Sequence, residues 1–170
     1  MGAEECIFCQ IANGKINSIT LYEDIKCRAI LDINPANPGH VLLIPKEHYV
    51  IWQVMPDELA SHMSLISKDI SSVMLSVLGV KGVNIYIANG EDAGQKAPHF
   101  IMHIIPRNKD DGIDFAWQPK KMAEEEMKSL AFNLAEGLKK FARIKAEPVV
   151  EKEQKKEQIV SVEELPERLP

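Results

Sequence analysis

The chain has 170 residues, a formal net charge of −5 and 26% charged residues. That length suits one domain with a sizeable core. The acidic balance argues against a nucleic-acid backbone binder, and the lysines near the C-terminus alternate with glutamates rather than forming a basic stripe. No run of about 18 apolar residues exists, so neither a membrane span nor a membrane partner is expected.

The opening "MGAEECIFCQ" is acidic and lacks the basic start and apolar run of a secretion signal. Gly2 suggests myristoylation, but position 6 is Cys rather than Ser or Thr, so that motif fails. A cytoplasmic location is the expectation. In a reducing compartment the Cys6-x-x-Cys9 pair reads as metal-binding or redox-active rather than as a disulfide.

In chain order, "EECIFCQIANGK" predicts a short helix stopping at Asn13-Gly14. "ITLYED" and "IKCRAILDI" read as strands joined by a turn at Glu23-Asp24. "NPANPGH" is a Pro/Gly loop, and "HVLLIPK" a buried strand ended by Pro45. "PDELASHMSLISKDISSVMLSVL" predicts a helix with Asp57 near its start and Leu59, Met63, Ile66, Ile70, Val73 and Val77 at helical spacing. "VNIYIANG" is a strand running into the Gly-rich turn "NGEDAGQ", and "PHFIMHIIPR" is the last strand. A loop with Trp117 then leads to a helix over about 122–144, with Met127, Leu130, Leu134, Leu138 and Phe141 along one side. The charged end is expected to be flexible. Strands around one long helix with hairpin-length connections predict an α+β fold with an antiparallel sheet.

Two residue patterns point to chemistry. Cys6 and Cys9 sit three apart at a helix start, so both thiols can face one ion. Zinc favours four Cys or His ligands, and His48 and His99 both lie at strand ends where ligands can converge. His62, among polar neighbours on the long helix, reads as a surface histidine. In "PHFIMHIIPR", strand alternation places Phe100, Met102 and Ile104 on one face and His99, Ile101, His103 and Ile105 on the other. A β-branched hydrocarbon thus stands between two imidazoles.

"CIFCQI", "LDINPANPGHVLLIPKEH", "NGEDAGQ" and "PHFIMHIIPR" occur in that order, and together they resemble the histidine triad (HIT) family of nucleotide-binding proteins. The resemblance runs from Glu5 to Arg107. It implies a HIT-like antiparallel sheet with a long helix packed on it, plus a C-terminal helix. Residues 1–108 form the HIT domain on this reading, 109–145 the loop and C-terminal helix, and 146–170 a charged, flexible tail. A homodimer is implied through the long helix and a sheet edge.

The family pattern His-φ-His-φ-His-φ-φ maps its first histidine to His99, its third to His103 and its second to Ile101. In the family the second histidine attacks the α-phosphate and forms a nucleotidyl-histidine. Isoleucine has no lone pair to offer, and loss of a covalent nucleophile costs on the order of a million-fold in turnover. The implied function is therefore binding of a purine nucleotide or nucleotide-like ligand without this chemistry. The alternative is an active hydrolase or nucleotidyl transferase on nucleoside phosphoramidates or dinucleoside polyphosphates, with His103 as substitute.

The resemblance further implies structural zinc on Cys6, Cys9, His48 and His99. Ile7, Phe8 and Ile33 match positions that sandwich a base, and Asp32 matches the acid that accepts ribose hydroxyls. Asn89, Gly94 and Gln95 match phosphate-side positions, with His103 in support. Lys96 stands where a small hydroxyl residue is common. His40 matches a position near the phosphate in some members, or caps its strand.

Overall fold

The computed structural model describes residue 2 and residues 4–141; the predicted helix end at Ile144 and the tail 146–170 lie outside the described residues. The chain divides into two units on either side of the Ala116–Trp117 bond.

The first unit is built on a five-stranded antiparallel sheet of order β1-β2-β3-β5-β4. Its strands are β1 (Thr20–Glu23), β2 (Cys27–Leu31), β3 (Val41–Pro45), β4 (Gly82–Tyr86) and β5 (Met102–Arg107). The predicted α+β architecture is the observed one. β3 lies at the centre because "VLLIP" is apolar at every position, so both of its faces are buried.

Alternation along β3 sorts the core into two layers. Val41 and Leu43 face a large cluster with Ala29, Phe100, Met102 and Ile104. Leu42 and Ile44 face a smaller one with Ala12 and Ile30. Helix α2 (Asp57–Val77) closes the first layer, and helix α1 (Ile7–Ala12) lies over β3 on the other. Asp57 and Glu58 sit in the first turn of α2, where negative charge suits the helix dipole.

The buried line of α2 is Leu59, Met63, Ser67, Ile70 and Met74, not the predicted line ending in Val73 and Val77. Val73 and Val77 are exposed. Steps of four, four, three and four keep the observed set on one face; Val73 lies about 100° round from Met74, and Val77 is the last residue of the helix.

The predicted last strand is also shorter than expected. The Phe100 amide donates to the Tyr49 carbonyl at 2.6 Å instead of joining the ladder, so β5 begins at Met102. The alternation of faces nevertheless continues upstream. Phe100 packs into the α2 layer, while Ile101 packs with Phe8 and Ile11 on the α1 layer. After β5, Asp111 binds Arg107 at 2.6 Å and accepts from Asn37 at 2.9 Å, which ties the following loop to the sheet.

The second unit contains helix α3 (Glu124–Phe141), with Glu124, Glu125 and Glu126 in its first turn and Lys139 and Lys140 in its last. The predicted apolar side, Met127, Leu130, Leu134, Leu138 and Phe141, is exposed. No helix among the described residues is long and apolar enough to cross a membrane.

Candidate functional site

The α1 face of the sheet carries two neighbouring groupings. The first is a thiol–imidazole cluster. Cys6 caps α1 and Cys9 follows within its first turn, so both sulfurs lie on one side of the helix. His48 comes from the loop after β3, and His99 from the irregular segment before β5. Cys9 Sγ lies 3.2 Å from His48 Nδ1 and 3.4 Å from His99 Nδ1, and Cys6 Sγ lies 3.5 Å from His99 Nδ1. A sulfur and a nitrogen bound to one tetrahedral zinc stand about 3.5 Å apart, from bond lengths of about 2.3 and 2.0 Å. The four side chains therefore fit zinc as they stand.

Their electrostatics point the same way. His99 is 1% exposed, and burial holds its pKa at about 4, so it is neutral. Its Nε2 lies 3.2 Å from the Pro45 carbonyl, which can only accept, so Nε2 carries the proton and Nδ1 turns its lone pair to the thiols. Burial, helped by Cys6, pushes the Cys9 thiol up to about 11. A dication would reverse that cost and draw off the thiol protons.

The second grouping is a cleft of about 810 Å³. Of the residues singled out from sequence, Ile7, Phe8, Asp32, Gly94, Gln95, Lys96, His99, Ile101 and His103 line it. Ile33 is 90% exposed and is not among the lining residues. Asn89 is not among them either; its Oδ1 accepts from the Trp52 amide at 2.8 Å.

The Gln95 amide braces its own loop, accepting from Gly90 N–H at 2.7 Å and donating to the Val50 and Ala97 carbonyls. Gly94 turns the chain there with φ of 86°, a conformation glycine adopts without strain, and a Cβ would meet Tyr86 Oη at 3.5 Å. Leu42 and Tyr86 also line the cleft and were missed from sequence. Their signal was strand register, because both stand directly opposite His103.

The polar end of the cleft is a relay. The Ala36 amide donates to His40 Nδ1 at 3.2 Å, and His40 Nε2 lies 3.1 Å from His103 Nδ1. A backbone N–H can only donate, so Nδ1 of neutral His40 is an acceptor and Nε2 bears the proton. His103 Nδ1 then accepts, and His103 carries its own proton on Nε2. Asp32 Oδ2 stands 3.4 Å from His40 Nδ1, close enough for an ion pair were His40 charged. Burial lowers the pKa of both imidazoles below the ordinary 6.5, and His40 lowers that of His103 further, against the opposing pull of Asp32. We take the pair as neutral.

This has a sign. The unfolded chain protonates its histidines near 6.5, whereas the folded pair resists. The stability tied to the pair is full above that pH and is lost as pH falls through it. The denaturant midpoint should drop between pH of about 7.5 and about 5.5, and less so in His103→Asn. Equal drops in the two proteins would remove the pair from the account.

His62 is not the solvent-facing residue expected from sequence. It is half-buried, with Nε2 2.6 Å from Asp24 Oδ2, because α2 crosses the β1–β2 turn there.

A five-stranded antiparallel sheet with a long helix on one face, and a Cys/His cluster beside a cleft with one polar end on the other, defines an α+β protein of the HIT-like fold. The chain belongs to the HIT family, and the HIT domain matches residues 13–110. It is 46% identical over 108 residues to an uncharacterised HIT-like protein of Methanocaldococcus jannaschii, covering 63% of this chain and 82% of that one. It is 33% identical over 135 residues to the adenosine 5'-monophosphoramidase hnt1 of Schizosaccharomyces pombe, covering 79% and 98%. The crystal structure of a Zn-bound histidine triad family protein from Mycobacterium smegmatis superposes with a TM-score of 0.63 at 34% identity, covering 82% of this chain and 99% of that one.

Proposed function

We propose that this protein binds a purine nucleotide or nucleotide-like ligand in the cleft and has lost the nucleotidyl-histidine chemistry of its family. The observation that carries this reading is Ile101. It replaces the family's middle histidine with a hydrocarbon that lines the cleft and packs on the Ile30, Leu42 and Ile44 layer. An apolar branch there can neither attack phosphorus nor solvate a phosphate oxygen.

His103 does not replace it. Nδ1 is taken by His40 and Nε2 is protonated, so neither nitrogen has a free lone pair in this arrangement. Its part is to donate a hydrogen bond to the ligand.

In this reading Ile7 and Phe8 contact the base, with Ile33 at the outer rim. Asp32 accepts from the ribose. Gly94, Gln95 and Lys96 form the phosphate end, with Asn89 holding the loop behind it. Cys6, Cys9, His48 and His99 hold a structural zinc that fastens α1 to the sheet. A homodimer and a cytoplasmic location complete the proposal.

The test is calorimetric titration of the zinc-loaded protein with adenosine monophosphate. Asp32→Ala should weaken binding by about tenfold or more, the worth of hydrogen bonds to an ionised acceptor. Equal affinities for the two proteins would remove Asp32, and with it the ribose end, from the reading.

A further inference from the structure

The third cysteine belongs to neither grouping. Cys27 opens β2 and is completely buried. Beside it stand Asp24, from the β1–β2 turn, and His62, from α2. One donor atom from each of the three lies within 4.8 Å of the others, the same span that encloses the Cys6, Cys9, His48 and His99 donors.

The carboxylate is already aimed. Asp24 Oδ1 accepts the amides of Lys26 and Cys27, each at 2.7 Å, which fixes the plane of the group. Oδ2 then points at His62 Nε2, 2.6 Å away, and also accepts from the Tyr22 hydroxyl at 2.7 Å. Backbone and hydroxyl donors that orient a ligating carboxylate are the usual outer shell of a metal site. His62 and Asp24 retain 30% and 21% of their side-chain exposure, so an ion can reach them from solvent.

The Asp24–His62 pair leaves the Cys27 thiol turned to the same carboxylate, with which it hydrogen-bonds, so all three side chains converge on one point. Sulfur, imidazole nitrogen and carboxylate oxygen make a mixed donor set that zinc accepts, with a water completing three protein ligands. Around tetrahedral zinc a nitrogen and an oxygen lie about 3.3 Å apart. Opening the 2.6 Å contact to that spacing moves the His62 ring by less than about one ångström.

We propose that Asp24, Cys27 and His62 form a second zinc-class site that clamps α2 to the β1–β2 turn, separate from the four-donor cluster. On binding, His62 gives up its Nε2 proton to solvent and keeps the one on Nδ1, so the Nε2 lone pair bonds the metal, and the Cys27 thiol proton also leaves to solvent. The ionised aspartate, thiolate and neutral imidazole then balance the dication.

The untagged full chain tests this after stripping by chelator under reducing conditions and titration with zinc, then with cobalt as a coloured substitute. Wild type should take up two ions per chain. His62→Ala should take up one and keep the cobalt spectrum of a two-thiolate centre. Cys9→Ser should lose that spectrum and keep an ion whose cobalt form has a single thiolate. His62 is half-buried but lies outside the buried line of α2, so its replacement spares the core and the variant is expected to fold. Saturation of wild type at one ion, or equal uptake by wild type and His62→Ala, would overturn the proposal.

Discussion

Ile101→His should raise hydrolysis of adenosine 5'-phosphoramidate by up to about 10⁶-fold over wild type, the cost of removing a covalent nucleophile read in reverse. The physical basis is local. Ile101 lines the cleft on the same face as His103 and sits on the apolar layer beneath it. An imidazole on this backbone position would enter the cleft with a nitrogen free to attack. The His40–His103 relay would stand beside it as a donor to the developing charge. Some stability would be lost, because Ile101 packs against the buried layer of Ala12, Ile30, Leu42 and Ile44. Ile101→Asn serves as the control, matching the polarity without the nucleophile, and should gain nothing. Steady-state assays of ammonia and adenosine monophosphate release at matched zinc content would show the difference. Equal rates for all three proteins would mean that more than the nucleophile is missing.

Removing zinc should have the other large effect. A metal that binds only the folded chain stabilises it by about 4 kcal/mol at a thousand-fold excess over its dissociation constant. For a chain of this size that corresponds to a fall in melting temperature of roughly 8–16 °C on chelation. Cys9→Ser should show most of that fall without chelator and respond to it less than wild type does. The reason is architectural. α1 is one and a half turns long and touches the sheet chiefly through Ala12 and its neighbours on β3, too little apolar surface to hold it alone. The cluster joins α1, the β3 loop and the segment before β5, so its loss releases the wall of the cleft that carries Ile7 and Phe8. An unchanged scan after complete chelation would contradict a structural metal.

Much of this architecture is local and therefore legible from residues. The apolar run "VLLIP" announces a strand buried on both faces. The alternation of "HFIMHI" separates core from cleft correctly even where the chain has left the ladder. What escaped depends on which elements meet. The burial of Ser67 and Met74 in place of Val73 and Val77 is decided by how α2 is rolled on the sheet, and a serine at a core position carries no apolar signal. The pairing of His62 with Asp24 needs α2 to cross a turn 38 residues earlier in the chain.

The Ala36–His40–His103 relay likewise joins a loop amide to a strand 63 residues beyond His40. Register alone could have placed Tyr86 and Leu42 opposite His103, had the strand order been known. Asn89 and Ile33 show the opposite limit. Matching a motif names a residue, but the side chain of Asn89 is taken up by Trp52, and Ile33 faces outward in the chain described.

The most direct test of the account is the covalent state of the wild-type polypeptide under turnover. Zinc-loaded protein is mixed with adenosine 5'-phosphoramidate, quenched in alkaline denaturant to preserve phosphorus–nitrogen bonds, and weighed intact. Wild type should keep its unmodified mass while Ile101→His gains one adenylyl group. An adenylyl group on His103, or on any side chain of the native sequence, would contradict it.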